Sequence, residues 1–332
     1  MKHTAKAAVM TAAGKDLEII EYPLPAVAPG CILVRVTCCT ICGSDVHSWM
    51  GRRSAPTPMI LGHEIVGKIV ELGAGVTHDT GDRQLQVGDR ITWTIMDNCG
   101  KCYFCREKGL MMKCRSLKKY GHDSCADSPH FVGGFAEYCY ITPGTCVVKI
   151  PDHLTDEEVA PANCALATVV AGWEAADVKP FENVLIQGAG ALGFYAAALA
   201  RHYGCRRIIV TDILDHRLEF IRAFGATDAV NVARMSEEDV VRTVRGLTGF
   251  GQPQAVVDVF QGYPVGNDVF EWKCFMGCCQ QVNCGLQMNG IIVVNTFERE
   301  PAPYDIAGII GEVGARRRVA DFNQAAAGSQ AL

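Results

Sequence analysis

With 332 residues, 49% of them hydrophobic and 20% charged, the chain is long enough for two domains, each with its own buried core. A net charge of −5, from 31 basic and 36 acidic residues, supplies neither the basic stripe of a nucleic-acid binder nor a cationic membrane face, which leaves a small molecule as the expected partner. The longest nearly apolar stretch, Val184 to Ala200, carries Gln187 and three glycines in its first ten residues, so it predicts a strand, a turn and a helix and not a membrane span.

The N-terminal run Ala7 to Ala13 is followed directly by Lys15 and Asp16 and predicts a buried first strand in preference to a secretory signal. Without such a signal, 17 cysteines point to a reducing, cytoplasmic setting, in which thiols serve as metal ligands or lie buried and unpaired. Their spacing then has to separate the two uses.

Up to about residue 150 the pattern is short β-type runs broken by turns: Ala7–Met10, Leu17–Glu21, Cys31–Cys38, Ile60–Leu72, Arg90–Ile95 and Phe135–Ile141. From about residue 155 buried strands alternate with helices, with strands near Val184–Gln187, Ile208–Thr211, Ala255–Val259 and Ile291–Val294, the pattern of a doubly wound parallel sheet. The chain is thus expected to be an α/β protein with a β-rich domain over 1–160 and a nucleotide-binding domain over 161–299. The Ala/Gly/Gln-rich tail from Gln324 is expected to fray.

Cys99-x2-Cys102-x2-Cys105-x8-Cys114 places four soft ligands in a loop rich in Gly and Lys. A loop with so little apolar content needs something other than a core to hold its shape, and four thiolates around one Zn²⁺ would fold it, since metal binding there becomes folding free energy. An iron–sulfur cluster also takes four thiolates and is the rival reading.

In the second half, Val184-Leu-Ile-Gln187 runs straight into Gly188-Ala-Gly190-Ala-Leu-Gly193 and then a helix over Phe194–His202. In that setting Gly188 permits the tight turn, Gly190 lets a pyrophosphate approach the backbone, and Gly193 lets the helix lie close to the strand. The phosphates would rest on the amides of a helix N-terminus. A second strand, Ile208–Thr211, ends in Asp212, about 20 residues past the last glycine, where a carboxylate accepts both ribose hydroxyls and repels a 2′-phosphate. NAD is therefore expected over NADP.

The segment Cys42-Gly-Ser44-Asp45-Val-His47, then Gly62-His63-Glu64 with Gly67, then Pro161-Ala-Asn-Cys164-Ala-Leu-Ala-Thr168, resembles the zinc-containing medium-chain alcohol dehydrogenases. With the four-cysteine lobe and the glycine motif in that family's order, the resemblance spans roughly residues 5 to 260. It implies a GroES-like catalytic domain and a Rossmann domain, and two zinc ions, one structural and one catalytic. Cys42, His63 and Cys164 are the implied catalytic ligands, with Glu64 as an auxiliary or transient one. Two thiolates and an imidazole leave the fourth tetrahedral position open to an alcohol, which is what catalytic zinc requires. By the same resemblance Ser44 passes the alcohol proton by way of the cofactor ribose to His47, Asp45 orients His63, and Thr168 stands among the cofactor-binding residues. Each residue alone has a plainer reading, a buried thiol or a helix cap, and the joint pattern carries the assignment.

The expected activity is oxidation of a small alcohol or polyol by NAD, or the reverse, in a soluble homodimer or homotetramer. Pro143-Gly-Thr145 through Thr168 also resembles a branch of the family linked to phosphonate catabolism, which implies a hydroxyalkylphosphonate substrate. A zinc-free quinone reductase is opposed by Cys42, His63 and the cysteine lobe. The region after Asp258 departs from the family. Gln261 to Cys284 is longer and richer in cysteine than the helix implied there, Asn295 stands where Gly is common, and the stretch after Phe297, part of which should complete the catalytic domain over 300–332, is short. That departure predicts weak turnover, or a zinc- and nucleotide-binding protein without turnover. Cys274, Cys278, Cys279 and Cys284 are expected to be incidental thiols, because adjacent cysteines fit one tetrahedral site poorly.

Overall fold

The computed structural model describes residues 3–249 and the strand residues 255–258 and 291–293. Among them, residues up to Cys164 form one compact unit and those from Ala165 a second. Gln261–Cys284, Asn295 and residues 300–332, for which the sequence carries expectations, lie outside the described residues.

The first unit runs β1 (Thr4–Met10), β2 (Glu18–Pro23), β3 (Ile32–Thr40), α1 (Gly43–Trp49), β4 (Met59–Ile60), β5 (Glu64–Leu72), β6 (Arg90–Trp93), α2 (Tyr103–Arg106), β7 (Tyr138–Ile141), β8 (Val147–Lys149) and α3 (Asp156–Val159). β1 pairs antiparallel with β2 and β4, and a larger antiparallel sheet has the order β7-β3-β5-β6-β8. Its core is the buried set Ile32, Val34, Ile65, Ile69, Ile91, Trp93 and Ile141, each large side chain stabilising the unit by about 1.5–3 kcal/mol through lost apolar exposure. The 3-10 helix Ala160–Asn163 packs on β3, β5 and β6, which ties Cys164 into this unit.

The second unit runs α4 (Ala165–Ala176), β9 (Asn183–Gln187), α5 (Ala191–His202), β10 (Arg207–Asp212), α6 (Asp215–Phe224), β11 (Asp228–Asn231), α7 (Glu237–Thr248), β12 (Ala255–Asp258) and β13 (Ile291–Val293). These strands form a parallel sheet of order β11-β10-β9-β12-β13. Val184–Ile186 and Ile208–Val210 are buried throughout, as expected of strands covered on both faces. Helix ends follow side-chain capping: Ser236 Oγ accepts the Asp239 amide at 3.2 Å, and Gly249 closes α7 at φ +68°.

The structure departs from the sequence expectations in four places. The run Ile60–Leu72 is not one strand, because Gly62 turns at φ +85° and separates β4 from β5. The helix expected from Phe194 begins at Ala191, directly after the second glycine. The strand expected from Phe135 begins at Tyr138. β8 and β11 were not expected at all, since Val147–Lys149 is too short and Asp228–Asn231 too polar to give an alternating signal.

Candidate metal centres and nucleotide turn

Cys42, the residue before α1, presents its backbone amide to Asp45 Oδ2 at 2.9 Å. The other oxygen of Asp45 accepts the Gly62 amide at 3.1 Å and lies 3.4 Å from His63 Nδ1. One carboxylate, 2% exposed, thus fixes two segments of chain, and the acidic cap also suits the positive end of α1. On the opposite side Asn163 Nδ2 donates to His63 O and to Trp93 O, both at 2.8 Å, and Cys164 is the next residue. Glu64 accepts a 2.5 Å hydrogen bond from Thr40 Oγ1.

These restraints bring ligand atoms of Cys42, His63, Glu64 and Cys164 within 4.8 Å of one another. Tetrahedral zinc, with bonds of about 2.0–2.3 Å, needs ligand separations of roughly 3.3–3.8 Å, so the donor set fits such an ion. The same neighbours set the proton affinities within the cluster. A hydrogen bond from Cys164 holds the Cys42 thiol well below its ordinary value against the cost of burial, with His63 and Ser44 adding to the effect. Burial disfavours a charged His63, but Asp45 and Cys42 outweigh it and raise its proton affinity. Burial pushes Glu64 up to about 7. Ser44 Oγ lies 3.5 Å from His63 Nε2, and His47 sits in the last turn of the same helix, half-buried.

Cys99, Cys102, Cys105 and Cys114 also bring their sulfurs within 4.8 Å of one another, with Cys102 and Cys105 at 3.5 Å. Amides of Cys99 and Ser116 donate to Cys114 Sγ at 3.3 and 3.4 Å. The amides of Arg115 and Cys105 hold Cys102 down to about 6, whereas burial pushes Cys105 up to about 12. Asn98 pins the base, donating to Gly144 O and accepting the Gly100 amide. Every described cysteine is a free thiol, and among the described residues these two groups are the ones with metal-ligand geometry.

In the second unit Gly188 takes φ +105° and donates to Thr211 O at 2.7 Å. A Cβ on Gly193 would meet Gly188 O at 2.1 Å, which is the close helix–strand approach that requires glycine there. Gly190 is the cap residue of α5. Asp212, 2% exposed, accepts the Ala189 amide at 2.7 Å and the Leu214 amide at 2.9 Å, so it braces the glycine turn, a role that sequence reasoning missed. Thr168 lies buried on α4. Asn163 and His122 were also missed: Asn163 stands inside the Pro161–Thr168 motif, while His122, whose ring lies tilted by 34° against His63 with centroids 4.7 Å apart, gives no signal of spacing.

Two family models match, "Alcohol dehydrogenase GroES-like domain" over residues 28–152 and "Zinc-binding dehydrogenase" over residues 191–267. The chain belongs to the zinc-dependent medium-chain dehydrogenase family. Among its relatives, L-threonine 3-dehydrogenase of Legionella pneumophila is 36% identical over 267 residues, covering 75% of this chain and 72% of that protein. Among solved structures, an alcohol dehydrogenase of Thermotoga maritima superposes with a TM-score of 0.75 at 23% identity, covering 97% and 91% of the two chains. A putative zinc-binding dehydrogenase of Sinorhizobium meliloti bound to NADP gives 0.71 at 25% identity, covering 95% and 90%. Among the described residues no helix is long and apolar enough to cross a membrane.

Proposed function

We propose that this chain is an NAD-dependent zinc alcohol dehydrogenase. The observation that supports it most is the convergence of Cys42, His63 and Cys164 from three separate segments, with Ser44 against His63. Cys42, His63 and Cys164 hold the catalytic zinc, Glu64 serves as auxiliary ligand, and Cys99, Cys102, Cys105 and Cys114 hold a structural one. Bound zinc supplies the Lewis acidity that eases loss of the alcohol proton, and NAD accepts the hydride, so the alcohol leaves as a carbonyl compound.

The chain's own residues do the rest. Ser44 takes the hydroxyl proton and His47, one helical turn on, delivers it to solvent. Asp45 holds the backbone amides of Cys42 and of Gly62, the residue before His63, and its Oδ1 lies 3.4 Å from His63 Nδ1. Gly188, Gly190 and Gly193 shape the turn that receives the pyrophosphate, with Thr168 among the cofactor contacts. Asp212 has an acceptor lone pair left on each oxygen for the ribose hydroxyls, and its negative charge disfavours a 2′-phosphate. Small alcohols and polyols are the substrate class, which includes the hydroxyalkylphosphonate expected from the sequence and the hydroxy amino acid named in the relatives. The protein is expected to assemble as a homodimer or homotetramer.

The test is formation of NADH, followed by near-ultraviolet absorbance, with primary, secondary, polyol, hydroxy-acid and phosphonate alcohols. Turnover that Ser44→Ala lowers by about 100-fold or more upholds the reading. Failure of every alcohol, or full activity in Ser44→Ala, rejects it. Asp212→Ala should equalise the affinities for NAD and NADP.

A further inference from the structure

The net charge of −5 conceals an uneven distribution. Residues 99–119 hold seven of the chain's 31 Lys and Arg but one of its 36 Asp and Glu, which leaves the remainder of the chain strongly acidic. Six of those cations, Lys101, Arg106, Lys108, Lys113, Arg115 and Lys118, are exposed. Among the described residues none of the six forms an ion pair. Four thiolates around one Zn²⁺ would add about two negative charges to the loop, fewer than its cations supply.

The same loop exposes apolar side chains. Tyr103, Leu110 and Met112 are 44%, 42% and 51% exposed, and the Lys108 ammonium lies over the Tyr103 ring, 5.4 Å from its centroid. Backbone hydrogen bonds fold the loop on itself. The amide of Lys108 donates to Tyr103 O at 3.2 Å, that of Leu110 to Phe104 O at 2.8 Å, and that of Lys113 to Leu110 O at 2.9 Å. Apolar side chains presented by a tied loop lose little further freedom when they are covered. Exposed Tyr, Leu and Met surrounded by charge match the anatomy of a protein–protein contact, an apolar centre with a polar rim. A surface meant only for water intersperses both signs of charge.

We propose that this lobe docks on an acidic face of a second copy of the chain. Charge complementarity selects that occupant, because a chain with its cations concentrated here offers the opposite sign elsewhere on its surface. Two lobes facing each other would put like charges in contact, so the lobe meets a different face. In a two-fold pair that contact occurs twice, each lobe resting on the other copy. The contact presupposes the homodimer or homotetramer proposed for the chain and is independent of hydride transfer.

The test is sedimentation velocity of the full-length protein over a range of concentrations, at about 0.05 and 0.5 M NaCl. Wild type should assemble into a dimer or tetramer. The triple variant Lys101→Glu, Lys108→Glu, Lys113→Glu should raise the dissociation constant of the lobe's contact by about 100-fold at low salt, and by less at high salt, where exposed charges are screened. Tyr103→Ser with Met112→Ser should weaken the same step at both salt concentrations. A carbodiimide joins Lys to a carboxylate in contact with it. In a mixture of unlabelled and heavy-nitrogen-labelled wild type, it should link lobe lysines of one copy to Asp or Glu outside residues 99–119 of another. That readout uses no variant, so it decides even if the substituted lobes do not fold. An oligomer that both variants leave unchanged, or lobe cross-links confined to single chains, overturns the lobe contact while self-assembly stands. A monomeric wild type removes self-assembly and the contact together, and binding of a labelled DNA oligonucleotide that the triple variant abolishes would assign the cations to nucleic acid instead.

Discussion

The two thiolate clusters are built in opposite ways. Cys99, Cys102, Cys105 and Cys114 come from one short stretch that carries Tyr103, Leu110 and Met112 on its surface, so little apolar burial supports it. Cys42, His63 and Cys164 come from three distant segments, tied to the scaffold by Asp45, by Asn163 and by the core around Ile65 and Trp93. A metal in the first cluster would supply the local folding energy, whereas the second has hydrogen bonds to the scaffold that share that task. Similar sulfur geometry in the two therefore marks different dependence on the ion.

The largest effect should come from breaking the first cluster. Cys99→Ser removes one of the four ligands, so the lobe should lose much of the local folding free energy that a structural metal would supply. Limited proteolysis should then cut between residues 100 and 113. Cys42→Ser should show no such cleavage and a nearly unchanged melting curve; equal proteolytic sensitivity in the two variants would erase the contrast.

A smaller effect is expected from the scaffold of the second cluster. Asp45→Ala leaves the buried Gly62 amide without an acceptor, at about 1–3 kcal/mol, and the half-buried Cys42 amide at less. Denaturant unfolding should record that loss even in metal-stripped protein, and a stability difference that appears only with zinc present would show that the metal, not Asp45, organises the site. Asn163→Ala is milder and acts on affinity, weakening zinc at Cys42, His63 and Cys164 by about 10–100-fold in a chelator competition. An unchanged affinity would reduce Asn163 to a packing residue.

The smallest test concerns the thiols of the stripped lobe. Cys102, held down to about 6 by amide donors, is a thiolate above that pH, while Cys105, pushed up to about 12, stays protonated. Iodoacetamide at pH 7 should label Cys102 first and lose that preference as pH falls through about 6, because the thiolate is the nucleophile. Equal labelling at pH 7 counts against the amide cage.

Sequence spacing made the local features legible. The cysteine lobe and the glycine turn each lie within one short window, so ligand type and interval carry most of the information, and the long apolar runs at Val184 and Ile208 announced their strands. What spacing does not show is contact between windows. The hold of Asp45 on Gly62, of Asn163 on Trp93, and of Asp212 on Ala189 are long-range hydrogen bonds, and nothing in local periodicity encodes them. The same holds for the break at Gly62, inside a run that reads as one strand.

The measurement that bears most directly on the two-cluster account is elemental analysis of the purified full-length protein beside Cys42→Ser and Cys99→Ser. Two zinc ions per chain in the wild type and one in each variant is the predicted result. One zinc or fewer in the wild type, or iron in place of zinc in the cysteine lobe, would contradict it.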